Sequence, residues 1–547
     1  MGHVANSSFK RSTVIKILSA GLSGGMLWAS FPSLSISYLA WIALVPLLVA
    51  METSSFMGSG AISYVAGWIM FAGIFYWIPM VPAISWSGYL LLVTYGALYV
   101  GSFGMSLWII RRRTGAPLSL LAPPLWLAVE YARSHAGFLG APWMLLGHSQ
   151  FEHPILLQIS AVTGAYGVSF VVVLVNAAVA DWIISYPSFR WSQRPSLSAI
   201  AGQAVHCRSR IALAFGGGVL AACALFGYVR MDADHVAQFL RVSIVQGNIP
   251  QDRKWEPEWR DRIFDRHVAL TRQAAVHSPQ LIVWPETSVP GDVVHSPPLR
   301  ERMAGLSRET GSYLLAGSAS NAKFSDQTLA GKKFNSMVLF SPEGTLAGEY
   351  RKVILVPFVE YAPIRLAALW SKSKRARQDM VAGQEATLLS VGSLTIGTLI
   401  CWENIFPDLF RQMAGQGAHL MVNATNEAWF GESSASEQFL AMSVFRAVEN
   451  HVAIARAANT GISSFIDPYG RITARLAAAD GKELFVEGTL TQDVPLSTQR
   501  TFYTSHGDVF AMTGLVVCAF FVLWAGLAGS RLRSFPQVVV PVQGEQL

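Results

Sequence analysis

The sequence predicts a polytopic α-helical membrane domain of about eight spans joined to one large extramembrane α/β domain. Two observations carry this. Charged residues make up only 14% of the 547-residue chain against 52% hydrophobic, with mean hydropathy +0.37, where a soluble chain carries about 25% charged residues. The deficit is also uneven. Long apolar runs fill roughly the first 230 residues and return near the C-terminus, while the stretch between them reads like an ordinary soluble domain.

A bilayer-spanning helix needs about 20 apolar residues. Candidate spans lie at about 14–31, 34–51, 56–80, 86–110, 117–134, 155–185, 211–230 and 507–530. They divide the chain into a seven-helix membrane domain over 1–230, an outer domain over 231–506, and an eighth span with a tail over 507–547. Basic residues orient the chain. Lys10, Arg11 and Lys16, then Arg111, Arg112 and Arg113, then Arg190, Arg194, Arg208 and Arg210, then Arg531 and Arg533 all fall on one side if there are eight spans. By the positive-inside rule that side is the cytoplasm, which puts 231–506 outside the inner membrane. The basic, apolar N-terminus looks like a signal peptide, but the spans that follow favour an uncleaved first helix. The net charge of +7 is read as basic loops. Without basic runs interleaved with aromatics on a soluble module, nucleic acid is excluded as a partner.

The outer domain alternates two kinds of segment. Arg241–Gln246, 280–284, 313–316, 336–340, Leu394–Ile400 and 419–423 are short Val/Ile/Leu-rich runs bounded by Gly, Pro and Asn, which predicts buried strands. Segments 258–275 and 437–449 have helical spacing, with Phe439, Leu440, Ser443 and Ala447 on one face of the second. Such a mixture predicts a layered α/β domain. The polar, basic segment within 366–380 is the candidate mobile loop, read first as a plain solvated loop and second as one that attracts anionic headgroups; the sequence does not say whether it gates the site.

Of four cysteines, Cys223 and Cys518 sit in apolar runs and Cys207 in a basic loop, so none is placed to pair with Cys401. Cysteine and histidine spacing offers no zinc pattern. Cys401 closes the run Leu394–Ile400 and opens Cys401-Trp-Glu-Asn404. A buried small hydrophobe is one reading; a nucleophile leaving a strand end is the other. Glu286, in Trp284-Pro-Glu-Thr287, is either a solvated strand-end carboxylate or the base that takes the thiol proton. Lys352 is either a surface lysine or the cation that holds a tetrahedral oxyanion. Glu360 and Glu403 are second carboxylates able to orient Lys352 or complete the polar site. Glu130 and Arg133, one turn apart near a span end, are functional candidates or a helix-packing pair.

Glu286, Lys352 and Cys401 match the Glu–Lys–Cys order of the nitrilase superfamily. Further motifs narrow the match: Gln246-Gly-Asn-Ile-Pro-Gln251, Phe334-Asn-Ser336, Leu355-Val-Pro-Phe358 with Glu360, Cys401-Trp-Glu403, Asn423-Ala-Thr-Asn426 with Ala428-Trp-Phe-Gly431, and Asn459-Thr-Gly461 with Asp467-Pro468. Together with Arg133 and Ala141-Pro-Trp143, they resemble the apolipoprotein N-acyltransferase family, the membrane-embedded branch of that superfamily. Val359 departs from the glycine common there.

The resemblance implies a nitrilase-like α/β sandwich on the periplasmic side of a bacterial inner membrane. It also implies acyl transfer from a phospholipid, typically phosphatidylethanolamine, to the α-amine of a diacylglyceryl-cysteine on an apolipoprotein. Trp255 and Asn335 would line the substrate region; Trp429 and Phe430 would contact acyl chains or the bilayer interface, or else serve as domain core. No metal or organic cofactor is implied, and nothing in the sequence demands more than a monomer. A membrane-anchored amidase that releases its acyl group to water uses the same three residues, and eight spans exceed what a tether requires.

Overall fold

The computed structural model describes residues 2–32, 34–82, 84–186, 199–232, 238–361, 380–497 and 499–533. The basic loop expected over 366–380 lies, all but Met380, outside the described residues.

Among the described residues, five helices are long and apolar enough to cross a membrane: Phe56–Ile74, Trp86–Thr114, Ala165–Ser185, His206–Asp232 and Val509–Ala528. His206–Asp232 and Val509–Ala528 are the least buried, at 11% and 22% of their most apolar windows, which leaves their apolar sides facing outward as lipid contact requires. The expected count of eight is therefore not confirmed. Candidate 34–51 breaks into a 3₁₀ turn, Ser37–Trp41, and the eight-residue helix Val45–Glu52. At about 1.5 Å per residue that helix is roughly 12 Å long, against a hydrocarbon core of about 30 Å. Candidate 155–185 divides at Gly164, whose φ of 63° ends two short turns before Ala165–Ser185 begins. Candidate 117–134 forms the 17-residue helix Leu118–Ser134 with Pro123 and Pro124 inside it. Apolar composition marks these segments as buried without saying that they cross.

The outer domain is a sandwich of two mixed sheets. Its strands are β1 (Gln238–Gln246), β2 (Leu281–Val283), β3 (Tyr313–Asn321), β4 (Lys333–Phe340), β5 (Leu346–Arg351), β6 (Leu389–Val391), β7 (Leu394–Ile400), β8 (Leu420–Thr425), β9 (Ala453–Ala458), β10 (Ser464–Ile466), β11 (Ile472–Arg475) and β12 (Gly488–Leu496). One sheet runs β12-β1-β2-β3-β4-β5, the other β11-β10-β9-β8-β7-β6. β1, β2 and β3 are parallel, as are β7, β8 and β9. Both faces of these strands are covered, so their sequences are continuous apolar runs. The period of two is visible in the packing. Val242, Ile244, Leu281, Val283, Leu315, Met337 and Leu339 join the core between the sheets. Their neighbours Val245, Ile282, Leu314, Ala316, Val338 and Phe340 form a second core with Phe264, Leu270, Met303 and Leu306 of helices Arg260–Ala275 and Pro297–Thr310.

Helix Ala435–Asn450 joins the two halves. Every residue but Glu437 is buried, so the single apolar face read from the sequence becomes burial all round. Gln438 shows why. Its Oε1 accepts from the indole N–H groups of Trp77 (3.2 Å) and Trp143 (2.9 Å), and its Nε2 donates to the carbonyls of Pro32 (3.1 Å) and Ile74 (2.9 Å). One fully buried amide thus meets four groups from the membrane helices and their loops.

Candidate active site

β7 delivers Cys401 at its C-terminal end, where the chain turns sharply into a 3₁₀ turn, Cys401–Ile405. Cys401 has φ of 52°, a left-handed backbone that costs an L-residue about 1–2 kcal/mol. Glu403 holds the turn. Its Oε2 accepts from Ile400 N at 2.8 Å; its Oε1 accepts from Val353 N (2.6 Å), Ile354 N (3.0 Å) and Tyr350 Oη (2.8 Å). One buried carboxylate therefore staples the strand bearing Cys401 to the segment bearing Lys352.

Lys352 leaves β5 with its side chain 1% exposed. Its Nζ is 2.9 Å from Glu360 Oε1 and 3.8 Å from Glu286 Oε1. Burial alone lowers the pKa of an ammonium, but Glu360, Glu286 and Cys401 overcome it and hold Lys352 well above its ordinary value. Glu360 also accepts from Val356 N at 2.7 Å. The left-handed residue in this segment is Phe358, with φ of 63°, and not Val359, so valine at that position meets no positive-φ demand.

Glu286 follows β2, and its carboxylate is fixed by Asn335 Nδ2 (2.7 Å) on one oxygen and Asn426 N (2.9 Å) on the other. Gly317 lets β3 pass close behind. A Cβ there would meet the backbone at Thr287 N and Pro285 O and lie 2.7 Å from Glu286 C. Asn335 Nδ2 also lies 3.4 Å from Glu360 Oε1, so Asn335 joins the two carboxylates of the site. The Gln-Gly-Asn-Ile-Pro-Gln, Asn-Ala-Thr-Asn and Asn-Thr-Gly motifs converge here. Asn426 donates to Gln251, Asn459 donates to Asn426 and to Ile249 O, and Asn459 Oδ1 accepts from Ile249 N.

The Cys401 thiol is pushed up to about 12, first by burial and then by the Glu286 carboxylate, while Lys352 pulls the other way. The resting site thus holds a neutral thiol beside a charged lysine. Glu403 is pushed up to about 7 by burial, opposed by Lys352 and its own hydrogen-bond donors.

Lys254 escaped the sequence reading. It is 2% exposed, and its Nζ donates to the Glu286 carbonyl at 2.8 Å. Burial pulls it down to about 8 against the influence of Glu286 and Cys401. Its only signal in the sequence is adjacency to Trp255 and the Gln246–Gln251 motif. Trp255 is largely exposed and, with Lys254, Arg260, Asp292 and Lys333, lines a cavity of about 230 Å³.

The remaining candidates sit elsewhere. Phe430 packs on Trp77 (ring centroids 4.9 Å) and Phe439 (5.7 Å); Trp429 is half-buried in the same turn, Glu427–Phe430. Arg133 donates to the carbonyls of Ala141 (3.1 Å) and Trp143 (2.9 Å), and Glu130 accepts from Trp126 and Leu146 N. Arg133 clamps the Ala141-Pro-Trp143 segment and Glu130 holds Leu146 just beyond it; Trp143 stacks on Trp402 at 5.7 Å. Arg133 thereby reaches the neighbour of Cys401 only through Trp143.

The description "Carbon-nitrogen hydrolase" fits residues 241–502, and "Apolipoprotein N-acyltransferase N-terminal domain" fits 23–178. The domain over the two sheets is thus nitrilase-like. The apolipoprotein N-acyltransferase of Geobacter metallireducens is 36% identical over 94% of both chains. That of Chlorobaculum tepidum is 28% identical over 90% of this chain and 92% of its own. A nitrilase-superfamily amidase from Nesterenkonia AN1 aligns with 48% of this chain and 94% of its own at 20% identity, but its TM-score of 0.36 is too low to bear on the site. From these matches along nearly its whole length, the chain belongs to the apolipoprotein N-acyltransferase family.

Proposed function

We propose that this protein takes an acyl chain from a membrane phospholipid, phosphatidylethanolamine in the first instance, and forms an amide with the α-amine of a diacylglyceryl-cysteine at an apolipoprotein N-terminus. The observation that carries this reading is the adjacency of two clusters. Glu286, Lys352, Glu360 and Cys401 form a charged, buried site, and Trp402, next to the nucleophile, stacks on Trp143, which neighbours Trp77 and Phe75 in the helical part. A reacting ester can enter the first while its acyl chain rests against the second.

Glu286 takes the Cys401 proton as the sulfur attacks the ester carbonyl, so that no free thiolate need accumulate. Lys352 faces the oxyanion. The C–O bond breaks, the proton on Glu286 passes to the departing lysophospholipid oxygen, and a thioester remains. The acceptor amine then attacks; Glu286 takes its proton, the C–S bond breaks, and the sulfur recovers a proton. A shared covalent intermediate makes the kinetics ping-pong. Asn335 and Asn426 hold the base, while Glu360 and Glu403 hold Lys352 and the Cys401 turn in place. In this reading 1–230 and 507–547 lie in a bacterial inner membrane, with 231–506 on its periplasmic side and one chain sufficient for the reaction.

The test is intact-protein mass spectrometry of the purified chain mixed with phosphatidylethanolamine and no acceptor. The expected result is a hydroxylamine-sensitive acyl adduct, absent in Cys401→Ala, that a diacylglyceryl-cysteine peptide discharges. Discharge by water alone would assign an amidase-like hydrolase instead. No adduct on folded protein would refute the proposed donor.

A further inference from the structure

Three residues far apart in sequence meet where the outer domain rests on the membrane helices. His135 caps helix Leu118–Ser134, Asp408 lies in the first turn of helix Pro407–Gly415, and Asp508 precedes the last helix, Val509–Arg533. His135 Nε2, Asp408 and Asp508 present ligand atoms within 4.8 Å of one another. We propose that they form a structural site for a borderline divalent cation such as Zn²⁺, which pins the outer domain to the membrane helices.

Three observations carry the proposal. First, His135 Nδ1 is 2.9 Å from the carbonyl of Tyr131. A carbonyl only accepts, so Nδ1 bears the hydrogen, which leaves Nε2 to face the carboxylates. A backbone carbonyl behind one ring nitrogen with the other aimed at a shared point is the usual arrangement of a ligating histidine. Second, Nε2 lies 3.8 Å from Asp508 Oδ2 and 4.0 Å from Asp408 Oδ2. A charged hydrogen bond is drawn to about 2.7–2.9 Å. Ligands about 2.0–2.2 Å from one ion sit roughly 3–4 Å apart. Third, the Asp508 side chain is 5% exposed. Tyr503 Oη donates to its Oδ1 at 2.9 Å, but its Oδ2 is directed at the cluster. A buried carboxylate calls for a compensating cation.

One imidazole nitrogen and two carboxylates match the donor set of zinc, with water as a fourth ligand. Two carboxylates against a divalent ion leave the site neutral. Arg411 Nη2 lies 3.2 Å from Asp408 Oδ1, the oxygen turned away from the cluster, and fixes that carboxylate from outside. Asp408 is seven residues beyond Cys401, so the ion would steady the helix that follows the nucleophile turn. No Cys or His spacing announces such a site, because its ligands come from three separate segments.

The test uses the full-length protein in micelles, dialysed against EDTA and titrated with Zn²⁺ alone. Calorimetry and metal analysis read the binding, and the unfolding temperature reads the staple. The wild type should take up one Zn²⁺ that is lost in His135→Ala, and its unfolding temperature should rise. Asp408→Asn, at an exposed side chain that folding tolerates, should bind at least about tenfold more weakly. Equal Zn²⁺ affinity and stoichiometry in wild type, His135→Ala and Asp408→Asn would overturn the proposal. So would a wild type that binds none.

Discussion

Glu403→Gln tests the staple between the two halves of the active site. The amide keeps one acceptor oxygen. Turned toward Val353 N, Ile354 N and Tyr350 Oη, it preserves three bonds, but its NH₂ then faces Ile400 N–H across the former 2.8 Å contact. Two donors meet, and a buried N–H next to Cys401 is left unsatisfied, which costs about 1–3 kcal/mol. The three surviving bonds no longer go to a charged acceptor and each weakens, for a total of about 2–4 kcal/mol. Tyr350→Phe removes only one of three donors to Oε1 and should cost about 0.5–1.5 kcal/mol. The assay is the folded fraction remaining after graded heating in micelles, read beside the rate of acyl adduct formation. Glu403→Gln should fall well below Tyr350→Phe on both. Equal losses, or a Glu403→Gln chain as stable and fast as wild type, would refute the claim that this carboxylate sets the Cys401 turn.

Without substrate, Cys401 should resist iodoacetamide. With its thiol near 12, thiolate is scarce at pH 8 and grows as pH rises toward that value, so exposed Cys207 should be labelled at least a hundredfold sooner. Peptide mapping that finds Cys401 labelled first would remove the neutral resting thiol. Gly317→Ala should push the Glu286 segment away from β3, costing about 1–3 kcal/mol and slowing acylation more than substrate binding; unchanged acylation would show that the backbone gives way freely. Gln438→Leu leaves the Trp77 and Trp143 indoles and two carbonyls without their partner, and heating should unfold it about 3–5 kcal/mol more easily. An unchanged unfolding curve would show that this amide is not a main tie between the halves.

Glu286 and Cys401 are legible as candidates because each follows an apolar strand, where a polar residue interrupts a clear pattern; Lys352 follows the polar strand β5 and is marked instead by the apolar run after it. β1, β2, β3, β4, β7 and β8 follow Val/Ile/Leu runs and were predicted. β9, Ala-Ile-Ala-Arg-Ala-Ala, was not: alanine and a buried arginine are poor strand signals, and only pairing with β8 and β10 makes it one. Helix Pro407–Gly415 is too short for periodicity to declare it. Lys254 reads as a surface lysine until the chain folds it under Glu286. Gly164 divides one apolar stretch and the 3₁₀ turn Ser37–Trp41 opens another, and mean hydropathy registers neither, so the expected count of eight spans is not confirmed. Asn335, expected to line the substrate region, has an amide that joins Glu286 and Glu360, a contact across strands that no local motif encodes.

Helix Ala435–Asn450 also fixes an order of assembly. Gln438 finds its partners in the membrane helices and their loops 361 to 406 residues earlier, apart from the indole of Trp143 at 295. During synthesis those helices emerge first and wait. The sheet carrying the nucleophile completes only after β9 and β10 follow the helix, so the nascent chain passes through most of its length without a working thiol. Excised from its helices, the hydrolase fold would bare a flank of Phe, Leu and Trp to water and clump rather than catalyse. An acylating centre built this way is never loose in solution: the contact that finishes the fold is the contact that keeps it at the apolar helices.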